Sequence, residues 1–343
     1  MIKSWGFEFF PASPMLAENF NAEDSMAYFD FYLDLWSRAE ERGFDGVFLS
    51  EHHFGGGYSP SPNLLLPVIA ERTKTLRLGV MGMVVPYHNP WRLAEEIGML
   101  DHLTKGRLEV GTSAGIPAEF QAIGMDTKEA RARYEEGMQI IDAALKEHVV
   151  THKGEFWNFE NLPIVPRPVQ QPAPPTWTTV ISVESARKAA RRGSKISTGF
   201  HPTEKVREIF DAYNEEAERC GNPSGPDCCG LRRQVIVDTD AALTSQRSSE
   251  HQEFFRNMIS ADKRMAAPGK KALDMPGTHT FTIAEEEFIN GTPDYVAGQV
   301  KKQCDETGAG HFLVTFAGYH TLEELSHAWD LYGRQVIPLL KGA

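Results

Sequence analysis

The run Glu51-His52-His53-Phe54 follows an apolar stretch, Asp45-Gly46-Val47-Phe48-Leu49-Ser50, and leads into Gly55-Gly56-Gly57. A carboxylate, two imidazoles and an aromatic ring at a strand end are poor packing material. They suit proton transfer near neutral pH, where imidazole titrates. Strand alternation sends His52 and His53 to opposite sides, so only one is expected to face a site. Other strand ends also carry usable groups: Met81-Gly82 with Pro86-Tyr87-His88, then Gly111-Thr112-Ser113-Ala114-Gly115, then Ser182-Val183-Glu184-Ser185. Ser182 or Glu184 would cap a helix whose first N–H groups are open to a phosphate. Arg187 and Lys188 sit in that helix's first turn, where the helix dipole disfavours cations, and Arg131 and Arg133 begin another helix. They fit one shared phosphate, or else a solvated basic face. In strand one, Trp5, Phe7 and Phe9 alternate with Gly6, Glu8 and Phe10. If the aromatics pack against helices, Glu8 points inward, where a carboxylate needs a partner or a proton.

These tips need a scaffold that gathers them at one end. Strand and helix patterns alternate along nearly the whole chain. Strands are expected near residues 3–10, 45–50, 76–85, 107–112, 176–181, 195–198, 231–237 and 310–316, with helices between them. Residues 149–165 read as a hairpin around Lys153-Gly154, and a proline-rich connector to residue 175 completes an insertion. Residues 260–290, rich in Lys, Gly, Pro and Thr, fit no element and are expected to form a lid-like segment after strand seven. The pattern predicts an α/β fold, a (β/α)8 barrel in one domain over residues 1–343. An open doubly wound sheet is disfavoured because no G-x-G-x-x-G turn occurs. In a barrel, chemistry sits on the loops after the strands, where all these tips fall.

At 343 residues and 41% hydrophobic content the chain can fill such a core. Its net charge of -12 argues against nucleic acid or an anionic membrane as partner. No apolar run approaches the roughly 18 residues that span a bilayer, and no signal-peptide pattern opens the chain, so a cytoplasmic location is expected. Cys220, Cys228, Cys229 and Cys304 form no C-x-x-C pair and are expected to be reduced thiols. Neither they nor the twelve histidines show a metal-binding spacing, and no metal is expected.

Several motifs in order resemble the bacterial luciferase-like flavin monooxygenases. They are Glu51-His52-His53-Phe54, Val84 to Pro90, Arg92-Leu93-Ala94-Glu95-Glu96 and Leu100 to Arg107, then Phe120 to Gly124, Arg131, Glu184-Ser185-Ala186 and Gly291-Thr292-Pro293. The resemblance implies a barrel that binds reduced FMN (FMNH2) at its C-terminal mouth. It implies a flavin C4a-hydroperoxide that oxygenates a small organic substrate with O2. A separate NAD(P)H:flavin reductase would supply the FMNH2. By resemblance, His52 handles protons beside the flavin, and Met81-Gly82 forms a non-prolyl cis peptide under the ring. Arg131, Glu184 and Ser185 contact the phosphate, and Phe200 lies near the ring. Ala114 stands where luciferase has a phosphate-binding arginine, so flavin binding would be weaker or Arg187 or Lys188 would compensate, and Ser113 replaces a reactive cysteine. Glu8 would occupy a flavin-side position and favour a more polar substrate than a long-chain aldehyde. A homodimer is implied through the second and third helices, with Leu64, Leu65, Ile69 and Met99 as apolar candidates. The alternatives are an F420-dependent oxidoreductase on the same barrel and a non-catalytic flavin-binding or partner subunit.

Overall fold

In a computed structural model, the structure describes residues 1–11, 21–54, 57–261 and 283–342, with the side chains of residues 256–261 excepted. Eight parallel strands close into a barrel with helices between them. In chain order they are β1 (Lys3–Glu8), β2 (Gly46–Leu49), β3 (Arg77–Val84), β4 (Leu108–Ser113), β7 (Thr176–Thr179), β8 (Lys195–Thr198), β9 (Cys229–Val237) and β11 (His311–Phe316). Closure comes from β8 against β9, with Ser197 opposite Gly230. The expected hairpin is present as β5 (Val149–Lys153) antiparallel to β6 (Asn158–Pro163). No helix among the described residues is long and apolar enough to cross a membrane.

The helices are α1 (Ala22–Ser37), α2 (Leu66–Arg72), α3 (Pro90–Leu103), α4 (Pro117–Ala122), α5 (Thr127–Lys146), α6 (Val183–Arg192), α7 (Thr203–Cys220), α8 (Ala241–Ala261), α9 (Pro293–Thr307), α10 (Leu322–Leu331) and α11 (Ile337–Lys341). Local chemistry sets their starts. Asn21 caps α1 by accepting from the Glu23 and Asp24 N–H groups, and Asp126 does the same for α5. Pro90 and Pro117 occupy first-turn positions, where a missing N–H costs nothing.

Two parts of the lid-like region differ from expectation. Ser260 and Ala261 continue α8, and Phe288–Gly291 forms β10, parallel to the upper half of β9. Glu285–Glu287 form a 3₁₀ turn before β10, and residues 262–282 of that expected lid lie outside the described residues.

The phase of β1 is opposite to the expected one. Trp5, Phe7 and Phe9 point into the lumen, where they pack with Phe48, Met81, Trp177 and Leu313. Gly6 faces outward, and a Cβ there would meet the Trp329 ring of α10 at 2.2 Å. Glu8 therefore also faces outward, into the layer between β1 and α1. Its Oε1 accepts from the Phe10 N–H at 3.3 Å, beside Tyr32 and Trp36. The alternation marks two faces, but both faces of a barrel strand are buried, so hydrophobicity cannot say which is inside. Burial pushes the Glu8 carboxyl up to about 7, against the hydrogen bonds of Phe10, Phe9 and Trp36.

A carboxyl with a raised pKa in the folded state favours folding while protonated, and that contribution is lost as pH rises toward about 7. The melting temperature of Glu8→Gln is therefore expected to match wild type near pH 5 and to exceed it at pH 8. Equal melting temperatures at both pH values would show that Glu8 is not buried and unpaired in this way.

Candidate active site at the barrel mouth

The lower lumen is solid. Trp5 stacks on Phe48 at 4.8 Å between ring centroids and meets Trp177 edge-on at 6.2 Å. Phe9 and Met81 lie against this plug. Ligands are thus confined to the end where the strand tips emerge. The Met81–Gly82 peptide there is cis. Pairing of β3 with β4 slips between Val80 and Met83. A Cβ on residue 82 would come within 2.6 Å of the Thr112 carbonyl carbon and 2.9 Å of the Ser113 nitrogen. Only glycine allows that approach, and it leaves a low shelf beside Met81. Ser113, the last residue of β4, accepts from the Gly115 N–H through its hydroxyl. Ala114 is half-buried against the outer core.

The histidines divide as alternation suggested. His52 stacks beside Phe9 at 5.6 Å, and its Nδ1 lies 3.2 Å from Glu119 Oε1. Nε2 has no protein partner among the described residues. Glu119 is buried on α4 and also accepts from the His53 N–H at 3.1 Å. His53 turns away, its Nε2 3.1 Å from Glu51. Glu51 is a buried hub, contacting His88 Nε2 at 3.1 Å and accepting from the Val84 N–H at 3.1 Å. Burial alone would raise the Glu51 carboxyl. The hydrogen bonds of His53 and His88, the His88 charge and the Val84 N–H outweigh it and hold the group below its ordinary value. Burial would lower His88, but its contact with Glu51 raises it instead.

The expected phosphate side is partly assembled. Ser182 and Ser185 form a capping box at the start of α6, so Ser182, not Glu184, caps it. Glu184 is exposed beside it. Arg131 is exposed near the start of α5, with no hydrogen bond or ion pair among the described residues. Lys188 bonds Glu135 at 2.9 Å, tying α6 to α5 so that both helix starts lie at the mouth end. The remaining cations are engaged elsewhere. Arg187 pairs with Glu215, and Arg133 pairs with Glu129 and lies 4.4 Å over the Phe156 ring. Arg187 and Lys188, expected as possible compensation for Ala114, each face a carboxylate of a neighbouring helix in exposed ion pairs.

On the next strand tip, after β8, Phe200 adopts a positive φ of 70°, and the Arg232 guanidinium lies 4.1 Å over its ring. Glu287 binds Arg232, Arg233 and the Phe200 N–H. His251 on α8 reaches Gln234 on β9 at 2.6 Å. Burial pushes His251 down to about 4, so its imidazole is neutral. Sequence reasoning missed Glu119, Arg232, Gln234, His251 and Glu287. Pro117 followed by Glu119 was a usable helix-start signal, and adjacent arginines inside an apolar strand were a usable sign of a buried polar cluster.

Residues 14–311 match the family model described as luciferase-like monooxygenase. An uncharacterized protein of Sinorhizobium fredii, y4wF, is 35% identical, over 86% of this chain and 87% of its own. The oxygenase component of a flavin-dependent trigonelline monooxygenase from Acinetobacter baylyi is 29% identical, over 68% and 66%. The crystal structure of monooxygenase RslO1 from Streptomyces bottropensis superposes with a TM-score of 0.83 at 26% identity, over 98% and 99%.

The Glu51–His88 pair has a defined pH signature. The lowered carboxyl stabilises above its ordinary 4.5 and loses that as pH falls, while the raised His88 stabilises below its ordinary 6.5 and loses that as pH rises past its folded value. Glu51→Gln is expected to cost about 1–3 kcal/mol between these limits. The melting-temperature gap to wild type should be widest near pH 6 and narrow at both extremes. A gap independent of pH would mean that the pair is not ionic.

Proposed function

The chain belongs to the luciferase-like monooxygenase family, and from that premise we propose that it is the oxygenase half of a two-component flavin system. It uses reduced FMN and O2 to oxygenate a small organic molecule. The observation that carries this reading is His52: a half-buried imidazole at the mouth, stacked beside Phe9 above a sealed lumen and tied through Nδ1 to buried Glu119.

The residues present fit a flavin. Gly82 lets β3 close on the β4 backbone, where a Cβ would collide, and Met81 beside it is the apolar surface proposed to carry the flat ring. Arg131 offers an unpaired guanidinium and Ser182 with Ser185 offer hydroxyls for a phosphate, with Glu184 beside them. Ser113, Ala114 and Phe200 complete the proposed flavin surround. When bound, reduced FMN supplies the electrons that activate O2. The protein's own part is to hold the ring, exclude water and manage one proton. With Nδ1–H donating to the Glu119 carboxylate, His52 Nε2 is the nitrogen left to take up or deliver that proton. The aromatic plug below and the apolar faces of Phe9 and Met81 keep bulk water out.

Two partners belong to the same proposal. A separate NAD(P)H:flavin reductase supplies the reduced flavin, supported by the relative named as an oxygenase component. A second copy covers an apolar strip on α2, α3 and the turn before them, where Leu64, Val68, Met99 and Leu103 are exposed. Leu65 is half-buried there, and Ile69 belongs to the core instead.

The test is incorporation of ¹⁸O from labelled O2 into a panel of small aldehydes, ketones and heteroaromatic acids, with FMNH2 supplied by a reductase. Wild type is expected to label at least one class. His52→Ala should cut labelled product at least ~10-fold while FMN affinity stays within a few-fold, as for loss of a proton-transfer group. Arg131→Ala should weaken FMN binding by roughly 1–3 kcal/mol, the scale of a charge-assisted hydrogen bond. Unchanged yield in the first variant removes His52 from the mechanism. Unchanged affinity in the second places the phosphate elsewhere.

A further inference from the structure

Among the described residues, the buried cluster at β9 brings two guanidiniums to one buried carboxylate, with exposed Glu286 nearby. Arg232, Arg233 and Glu287 are each less than one-tenth exposed, and two guanidiniums share the single carboxylate. The two arginines are not equivalent. Arg233 faces outward toward α9 and has all three nitrogens engaged: Nε donates to Gln303, Nη1 to Glu287 and the Arg232 carbonyl, and Nη2 to the His201 carbonyl. It alone can anchor Glu287. Arg232 donates to Glu287 through Nη2, and its Nη1 is shielded from solvent with no hydrogen-bond partner among the described residues.

Arg232 faces the lumen. It is in register with Leu313, a member of the aromatic plug, and two residues before Gln234, which is in register with Thr315. Gly199 makes room for it, since a Cβ there would lie 2.9 Å from its Nε and Nη2. Phe200 flattens the guanidinium from one face. Among the described residues, neutral His251, Gln234 and Thr315 also line this wall and bring no negative charge to it. A buried guanidinium nitrogen without a partner is costly, and an uncompensated buried cation more so. Both costs are relieved by one kind of ligand atom, an electron-rich oxygen approaching from the mouth.

We propose that Arg232 is a specificity-determining binding residue whose free Nη1 holds a carboxylate or carbonyl oxygen of a ligand in the barrel mouth. This rests on the reading that the mouth binds flavin and an organic substrate. Two sources carry that oxygen: a carboxylate-bearing substrate, or the pyrimidine carbonyls of the flavin. Phe200, already pinned by Glu287 and stacked on Arg232, would form the adjoining aromatic wall for a planar acid.

The test is equilibrium binding, without turnover. FMN affinity is read by fluorescence quenching, and benzoate against neutral benzamide by calorimetry, for wild type, Arg232→Met and Arg232→Lys. Arg232→Met leaves Glu287 paired one-to-one with Arg233, and Arg232→Lys keeps the charge but loses the fork, so at least one folded variant is expected. Circular dichroism and melting temperature confirm folding. If the oxygen is a substrate's, wild type binds benzoate and not benzamide, and Arg232→Met loses benzoate at least about ten-fold with FMN affinity unchanged. If it is the flavin's, FMN affinity falls by that factor in Arg232→Met and less in Arg232→Lys. If wild type binds FMN, and folded variants bind FMN and benzoate as wild type does, the role of Arg232 is overturned and the flavin reading survives. If wild type binds neither, both readings fall together.

Discussion

The filled lumen is the constraint on which the rest of the structure depends. Trp5, Phe48, Trp177 and Leu313 leave no passage through the barrel, so polar function is confined to the strand tips. Above the plug, two buried carboxylates organise the mouth. Glu119 takes His52 and the His53 backbone, and Glu51 takes His53, His88 and the Val84 backbone. One imidazole is thereby presented and the others are committed. Remove the plug, and the same side chains would sit beside a wet channel where a reactive flavin and its proton could not be kept from water.

Charge at the mouth follows the same economy. The α6 cations pair with carboxylates of neighbouring helices: Lys188 and Arg192 with Glu135, Arg187 with Glu215, and Arg191 with Glu216. Among the described residues, Arg131 makes no ion pair and Nη1 of Arg232 makes no hydrogen bond. Met81 and Phe9 add an apolar surface to the same mouth. A ligand with a planar middle and negative ends matches that distribution. Such a match sets orientation as much as affinity.

Much of this was legible in the chain. The strand–helix rhythm marked all eight barrel strands, and Lys153-Gly154 marked the side hairpin, because periodicity and turn chemistry are local properties. The His52 tip was legible because imidazoles at a strand end have no packing role. What failed was information that only tertiary structure holds. Alternation in β1 separated Trp5 from Gly6 but could not say which face was inward, and Glu8 was placed in the lumen as a result. The ion pairs of Arg187 and Lys188 on α6 could not be read from the chain because Glu215 and Glu135 are distant in sequence and adjacent in space. Glu287 follows the segment that fits no element, so its bond to Arg232 had no local signature. β10 was hidden for a similar reason: four residues paired to β9 carry too short a pattern to stand out.

The central claim is that the mouth is shaped for a flat, reduced flavin carried by one phosphate. Anaerobic titration of the wild-type protein with FMNH2, and separately with reduced F420, each followed by tryptophan fluorescence, tests it most directly. Saturable one-to-one binding of FMNH2, tighter than that of reduced F420, is the predicted result. Tighter binding of reduced F420, or no saturable binding of FMNH2, would contradict the account.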